Sequence, residues 1–203
     1  NTASGVIDEI EEMNMASTGA SDNGGEMRSA AIYGAASNGD SKSIILDDSP
    51  SVGKTELSAH NFVSGADATD SGNVLTVGVG NLGSCANATI VVFAGGYLTG
   101  YTATDTIQSV PVDSSSDSEN EGDLVQIVYA LSGTSNDDGT KGEFYGGLGQ
   151  GGSPAQYIQD DIQRITFASL TNSADEGDLT FTVSAGTYTH AGGASYLSSQ
   201  SGG

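Results

Sequence analysis

Apolar residues in this chain come in short runs separated by stretches of Gly, Ser, Asn and Asp. Most runs alternate. Val74, Thr76 and Gly78 face one way while Leu75, Val77 and Val79 face the other. Leu179, Phe181 and Val183 alternate with Thr180, Thr182 and Ser184, and Val125, Ile127 and Tyr129 with Gln126 and Val128. That period of two is the mark of a half-buried strand. The run Thr89-Ile90-Val91-Val92-Phe93-Ala94 is continuous and predicts a strand covered on both faces. Strands are predicted near residues 30–35, 43–47, 56–63, 74–81, 89–99, 106–112, 124–131, 164–170 and 179–189.

Two segments read as helices instead. Across 4–15, Val6, Ile10 and Met13 recur on one helical face with Ile7 beside them, Ser4 stands as N-cap, and Asp8 and Glu9 suit the helix dipole. Pro154 opens a second candidate, in which Tyr157, Ile158, Ile162 and Ile165 fall at roughly helical spacing up to residue 165. Between these, residues 16–26 have the composition of a linker. The expected organisation is an amino-terminal helix and arm (1–28), a β domain (29–190) and a carboxy-terminal tail (191–203). The expected fold class is all-β, an antiparallel β-sandwich of jelly-roll or immunoglobulin-like connectivity with one short inserted helix.

Charge narrows the set of partners. Twenty-six acidic residues against five basic ones give a net charge of -21 and a pI near 4.1. Nucleic-acid phosphate and anionic membranes would be repelled within a Debye length. Such a surface suits concentrated salt or bound cations. No apolar stretch approaches the length of a membrane span. The chain opens on Asn1 rather than methionine, so the expectation is processing or a boundary of the numbering, with any leader already removed.

Candidate chemistry is sparse. Cys85 is the single cysteine, which excludes an intramolecular disulfide and favours a small buried hydrophobe. His60 and His190 are the two histidines, and neither lies near a nucleophile-elbow pattern. Asp48-Ser-Pro-Ser-Val-Gly53-Lys54-Thr55 ends like a phosphate loop, but Asp48 replaces the first glycine and sets a carboxylate where phosphate must sit. Acidic loops are the better lead. Asp113, Asp117, Glu119, Glu121 and Asp123 crowd one stretch, Asp137 and Asp138 another, and Asp175-Glu176-Gly177-Asp178 forms a third. Oxygen-rich loops of this kind suit calcium, although none matches an EF-hand. Asn87-Ala88-Thr89 is a glycosylation sequon. The glycine-rich stretch 142–152, with Phe144 and Tyr145, reads as a loop able to contact a neighbour.

The functional expectation is a non-enzymatic structural subunit that assembles with copies of itself, in a virion or a secreted filament. Its contacts would run through the arm residues Val6, Ile7, Ile10 and Met13 and through edge strands. The alternative is a monomeric calcium-dependent carbohydrate-binding or adhesin module, using Tyr97, Tyr101, Tyr145 and Tyr188 as its platform.

Overall fold

A computed structural model describes residues 9–12, 22–28, 35–37, 41–46, 55–74, 80–98, 102–150 and 156–180. In chain order the strands are β1 (Glu9–Glu12), β2 (Asp22–Glu26), β3 (Ala35–Ser37), β4 (Lys42–Leu46), β5 (Glu56–Asn61) and β6 (Thr69–Asn73). They continue as β7 (Gly83–Ala86), β8 (Ile90–Ala94), β9 (Tyr97–Leu98), β10 (Thr102–Ala103), β11 (Thr106–Pro111), β12 (Glu119–Asp123) and β13 (Val128–Tyr129). The last are β14 (Ser132–Ser135), β15 (Lys141–Tyr145), β16 (Leu148–Gln150), β17 (Gln156–Ile158), β18 (Asp161–Thr166) and β19 (Ala174–Asp178). One 3-10 turn, Phe167–Ser169, interrupts them. The described residues are nearly all β, and every strand pair among them is antiparallel.

Three four-stranded sheets form the body: layer 1 (β3-β4-β5-β6), layer 2 (β7-β8-β11-β12) and layer 3 (β14-β15-β18-β19). Each is a meander in which spatial neighbours follow one another along the chain. The β9–β10 hairpin and the β13-β16-β17 sheet are small additions, and β1–β2 pair as a two-stranded sheet.

Alternation along β8 explains how the layers are held together. Val91 and Phe93 join Ile44, Leu46, Leu57 and Val110 in one apolar cluster. Val92 and Ala94 join Ile107, Phe144, Ile165 and Phe167 in another. Layer 2 is therefore covered on both faces, as the unbroken run at 89–94 predicts. Each fully buried Val, Leu or Phe contributes roughly 1.5–3 kcal/mol relative to exposure.

Both helix expectations are overturned. Within 4–15 the described residues are β1, paired with β2 in the supposed linker. Ile10 stands alone among Glu9, Glu11 and Glu12, so the helical spacing was carried by residues outside the described ones. Within 154–165, Gln156–Ile158 and Asp161–Thr166 are separate strands, and the isoleucines reach helical spacing only by being counted across the turn at Gln159-Asp160. The strand expected at 124–131 shrinks to Val128–Tyr129, with Val125 and Ile127 exposed. The acidic and glycine-rich stretches are not simply loops: Glu119–Asp123, Ala174–Asp178 and Lys141–Tyr145 are strands.

Phe144 is fully buried between layers 2 and 3. Phe144→Ala is expected to lower the free energy of urea unfolding by about 3–5 kcal/mol. An unchanged midpoint would show that this interlayer core does not carry the fold.

Candidate functional site

One local motif recurs on β2, β6, β12 and β19, each an outer strand of its sheet. Asp70-Ser-Gly72-Asn-Val74, Asn120-Glu-Gly122-Asp-Leu124 and Asp175-Glu-Gly177-Asp-Leu179 share the pattern Asx-x-Gly-x-aliphatic, and Asn23-Gly-Gly25-Glu-Met27 follows it. The Asx side chain bends the backbone: Gly72, Gly122 and Gly177 donate their N–H groups to Asp70, Asn120 and Asp175 Oδ1 at 3.0, 2.9 and 2.9 Å. Ladder registers shift at these positions in all four pairs, so two residues oppose one and the strand bulges. Positive φ at Gly25, Gly72, Gly122 and Gly177 (107°, 97°, 140° and 129°) makes glycine the fitting residue there.

Three of the bulges receive a loop from the next layer. Glu26 donates its N–H to Asp67 Oδ1 (3.1 Å), and its carbonyl accepts from Ala68 N–H (2.8 Å). Asn73 makes the same pair of bonds with Asp117 Oδ1 (3.1 Å) and Ser118 N–H (2.8 Å). Asp123 makes them with Asn172 Oδ1 (3.0 Å) and Ser173 N–H (2.9 Å). The glycine lets the loop approach: a Cβ at Gly25 would lie 2.8 Å from the Ala66 carbonyl, and one at Gly122 would lie 2.5 Å from Asn172 Oδ1. At Gly72 it would press harder still on Ser116. At Gly177 nothing among the described residues lies within 4 Å.

The sequence candidates are distributed around these junctions. Asp117 is a junction residue and also accepts from Asn73 Nδ2 (3.0 Å). Asp123 is the clamped residue of layer 2. Asp113 pairs with Lys42 Nζ at 3.0 Å, and Glu121 accepts a short bond from Ser109 Oγ. Glu119 lies exposed on β12 and Asp137 in the turn before β15. Asp138 accepts from Thr140 Oγ1 (2.5 Å), Thr140 N–H (3.0 Å) and Asn136 Nδ2 (2.5 Å), and the Thr140 bonds above all hold its carboxyl below the usual range. The structure does not gather these seven carboxylates: among the described residues no three His, Cys, Asp or Glu side chains are grouped to hold a metal ion.

Cys85 packs in the layer 2–3 core, where burial pushes its thiol pKa up. Asn87 is half-buried; its Oδ1 accepts from Thr89 and Ile90 N–H, and its Nδ2 donates to the Gly139 carbonyl. His60 is 1% exposed and meets Phe62 edge-on. It lies beneath a cleft of about 260 Å³ that includes Lys42, Asp70, Asp113 and Ser115. There Ser115 Oγ donates to the Asp70 carbonyl at 2.9 Å. Tyr97 stacks on buried Tyr129, ring centroids 3.9 Å apart. Val6, Ile7, Met13, the segment 48–54, Tyr101, Tyr188 and His190 lie outside the described residues.

The junction residues Asp67 and Asn172 are absent from the sequence reading, as is the role of the four bulge glycines. The signal that reveals them is the recurrence of Asx-x-Gly-x-aliphatic, each time just after an Asp or Asn followed by a small residue, except that Ala20 holds the acidic position before β2. No protein-family profile matches this chain, and no curated protein matches it by sequence.

Asp117→Ala removes the side-chain acceptor of the middle junction and is expected to cost about 1–2 kcal/mol of stability in urea unfolding. Asp117→Asn keeps an Oδ1 acceptor, as Asn172 does, and should recover most of it. Equal losses in both variants would show that charge, not the backbone clamp, is what Asp117 supplies.

Proposed function

We propose that this protein is a non-enzymatic structural subunit that assembles with copies of itself outside the cytoplasm, as a virion coat or surface protein or as part of a secreted filament. Its fold is read as a layered β-sandwich. The observation that carries this is the repeated junction: one clamp joins successive layers three times, and the same glycine bulge recurs on β19. A stack of like layers, each touching only its neighbours, is an architecture that extends by addition.

The acid excess then acts as a control on assembly. The edge strands β12 and β19 carry Glu119, Glu121 and Asp123, and Asp175, Glu176 and Asp178. Charged edges discourage indiscriminate strand pairing. Crowding is visible at Asp161, whose carboxyl is raised by burial and then by the charges of Asp160, Asp175 and Asp178. Contacts between copies therefore need screening by salt.

Light scattering of the full chain across a sodium chloride series, with and without calcium at matched ionic strength, tests the proposal. Regular particles growing with salt are expected. A monomer under every condition would overturn the proposal and favour the calcium-dependent binding module.

A further inference from the structure

The seam between layers 1 and 2 and the seam between layers 2 and 3 are built alike but filled differently. Lys42 opposes Asn61 as Ile90 opposes Pro111, and Glu56 opposes Asn73 as Thr106 opposes Asp123. Each of these positions on layer 1 therefore has a counterpart on layer 2. Asp117 and Asn172 play the same part in successive junctions, which pairs the loop residues Asp113 and Ser115 with Ala168 and Leu170. In the layer 2–3 seam Ile90 and Leu170 pack against the apolar cluster, and Glu121 accepts from Ser109 Oγ. The counterparts of Ile90, Leu170, Glu121 and Ser109 in the layer 1–2 seam are Lys42, Ser115, Ser71 and Ala59. Two large side chains are thus replaced by serines, and all four counterparts line the cleft of about 260 Å³.

The lining is rich in hydroxyls, and its charges are already matched. Lys42 Nζ lies 3.0 Å from Asp113 Oδ1 across the seam, and an Arg28 guanidinium nitrogen lies 3.2 Å from Asp70 Oδ1. Both pairs engage Oδ1, and Oδ2 of each carboxylate remains an acceptor. Ser71 is only 2% exposed, yet its hydroxyl has no hydrogen-bond partner among the described residues. A buried hydroxyl left unpaired costs about 1–3 kcal/mol, so a ligand group that bonds it is favoured. An anionic ligand would meet the field of a chain with net charge -21. A cavity of this size holds several waters, and a ligand displaces them without loss only where it reproduces their hydrogen bonds. A sugar ring meets both conditions: it is neutral, and each of its hydroxyls both donates and accepts.

We infer that the cleft between layers 1 and 2 binds one pyranose ring of a carbohydrate. Asp70 and Asp113 accept from its hydroxyls, Lys42 holds Asp113 in place, and Ser71 bonds the hydroxyl that reaches deepest. The site is complete within one chain and does not depend on assembly.

Saturation-transfer NMR on the full chain tests the site, with glucose, galactose, mannose and their methyl glycosides as probes and sorbitol as the open-chain control. Transfer to at least one hexose at millimolar concentration, and none to sorbitol, is expected. Ser115→Leu places in this seam the side chain that Leu170 places in the next, and should abolish the transfer while leaving the urea midpoint unchanged or higher. Asp113→Asn keeps the shape but loses the charged acceptor, and should weaken binding about fivefold. Should Ser115→Leu fail to fold, Asp113→Asn carries the test alone. Transfer to a hexose and its methyl glycoside alike marks the end of a glycan as the source; transfer to the free hexose alone marks a monosaccharide. No transfer to any hexose, equal transfer to sorbitol, or transfer that either folded variant leaves undiminished would overturn the inference, whatever light scattering shows of assembly.

Discussion

A side chain at residue 25, 72 or 122 would collide with the backbone of the following layer, and three glycines at positive φ remove that collision. Close approach there brings one backbone N–H and one carbonyl within reach of the next loop, and both are bonded. Side-chain packing alone leaves stacked sheets free to slide, because dispersion and apolar burial are non-directional. Two hydrogen bonds at a fixed point along each edge pin the layers in register. Spacing between layers, the burial of both faces of β8 and the alignment of the turns all follow from that pin.

The same strands that carry the pin carry the charge. A bulged edge exposes backbone groups that any passing strand could pair with, and carboxylates at Glu119, Glu121, Asp123, Asp175, Glu176 and Asp178 keep strangers off at short range. Edge protection and junction specificity thus share one short sequence. The Asx and Gly residues shape the bulge, the intervening acids repel non-partners, and the aliphatic residue that follows turns inward in two of the copies: Val74 and Leu124 are buried.

Legibility in the sequence tracked burial. β8 could be read because both its faces are apolar, and β4, β5 and β11 because one face is. β12 and β19 could not, since Glu-Asn-Glu-Gly-Asp and Ala-Asp-Glu-Gly-Asp have the composition of a turn. Their strand character comes from pairing with β11 and β18, a long-range cause that local propensity does not contain. The helix expected at 154–165 failed for a related reason: Ile158 and Ile162 lie on different strands, and periodicity cannot see the break between them. Recurrence was the stronger signal. Asx-x-Gly-x-aliphatic appears four times, and only comparison of the chain with itself reveals it.

Polarity also changes along the stack, and that change has a structural consequence. The upward positions of the second and third layers can be compared through their registers. Val92 and Ala94 on β8 correspond to Glu143 and Tyr145 on β15, and Ser109 on β11 corresponds to Arg164 on β18. An apolar interlayer face has become an ion-paired one, with Arg164 bound to Glu143 and Glu176. Terminal layers of stacked proteins need such polar faces to stay soluble. Here the polar face lies beside a backbone junction that remains fully formed: Gly177 keeps its positive φ and its Asx bond to Asp175 although nothing among the described residues presses on it. Keeping the glycine bulge while charging the face separates two roles: the ion pairs organise the polar face, and the Asx bond sets the bend of the edge strand.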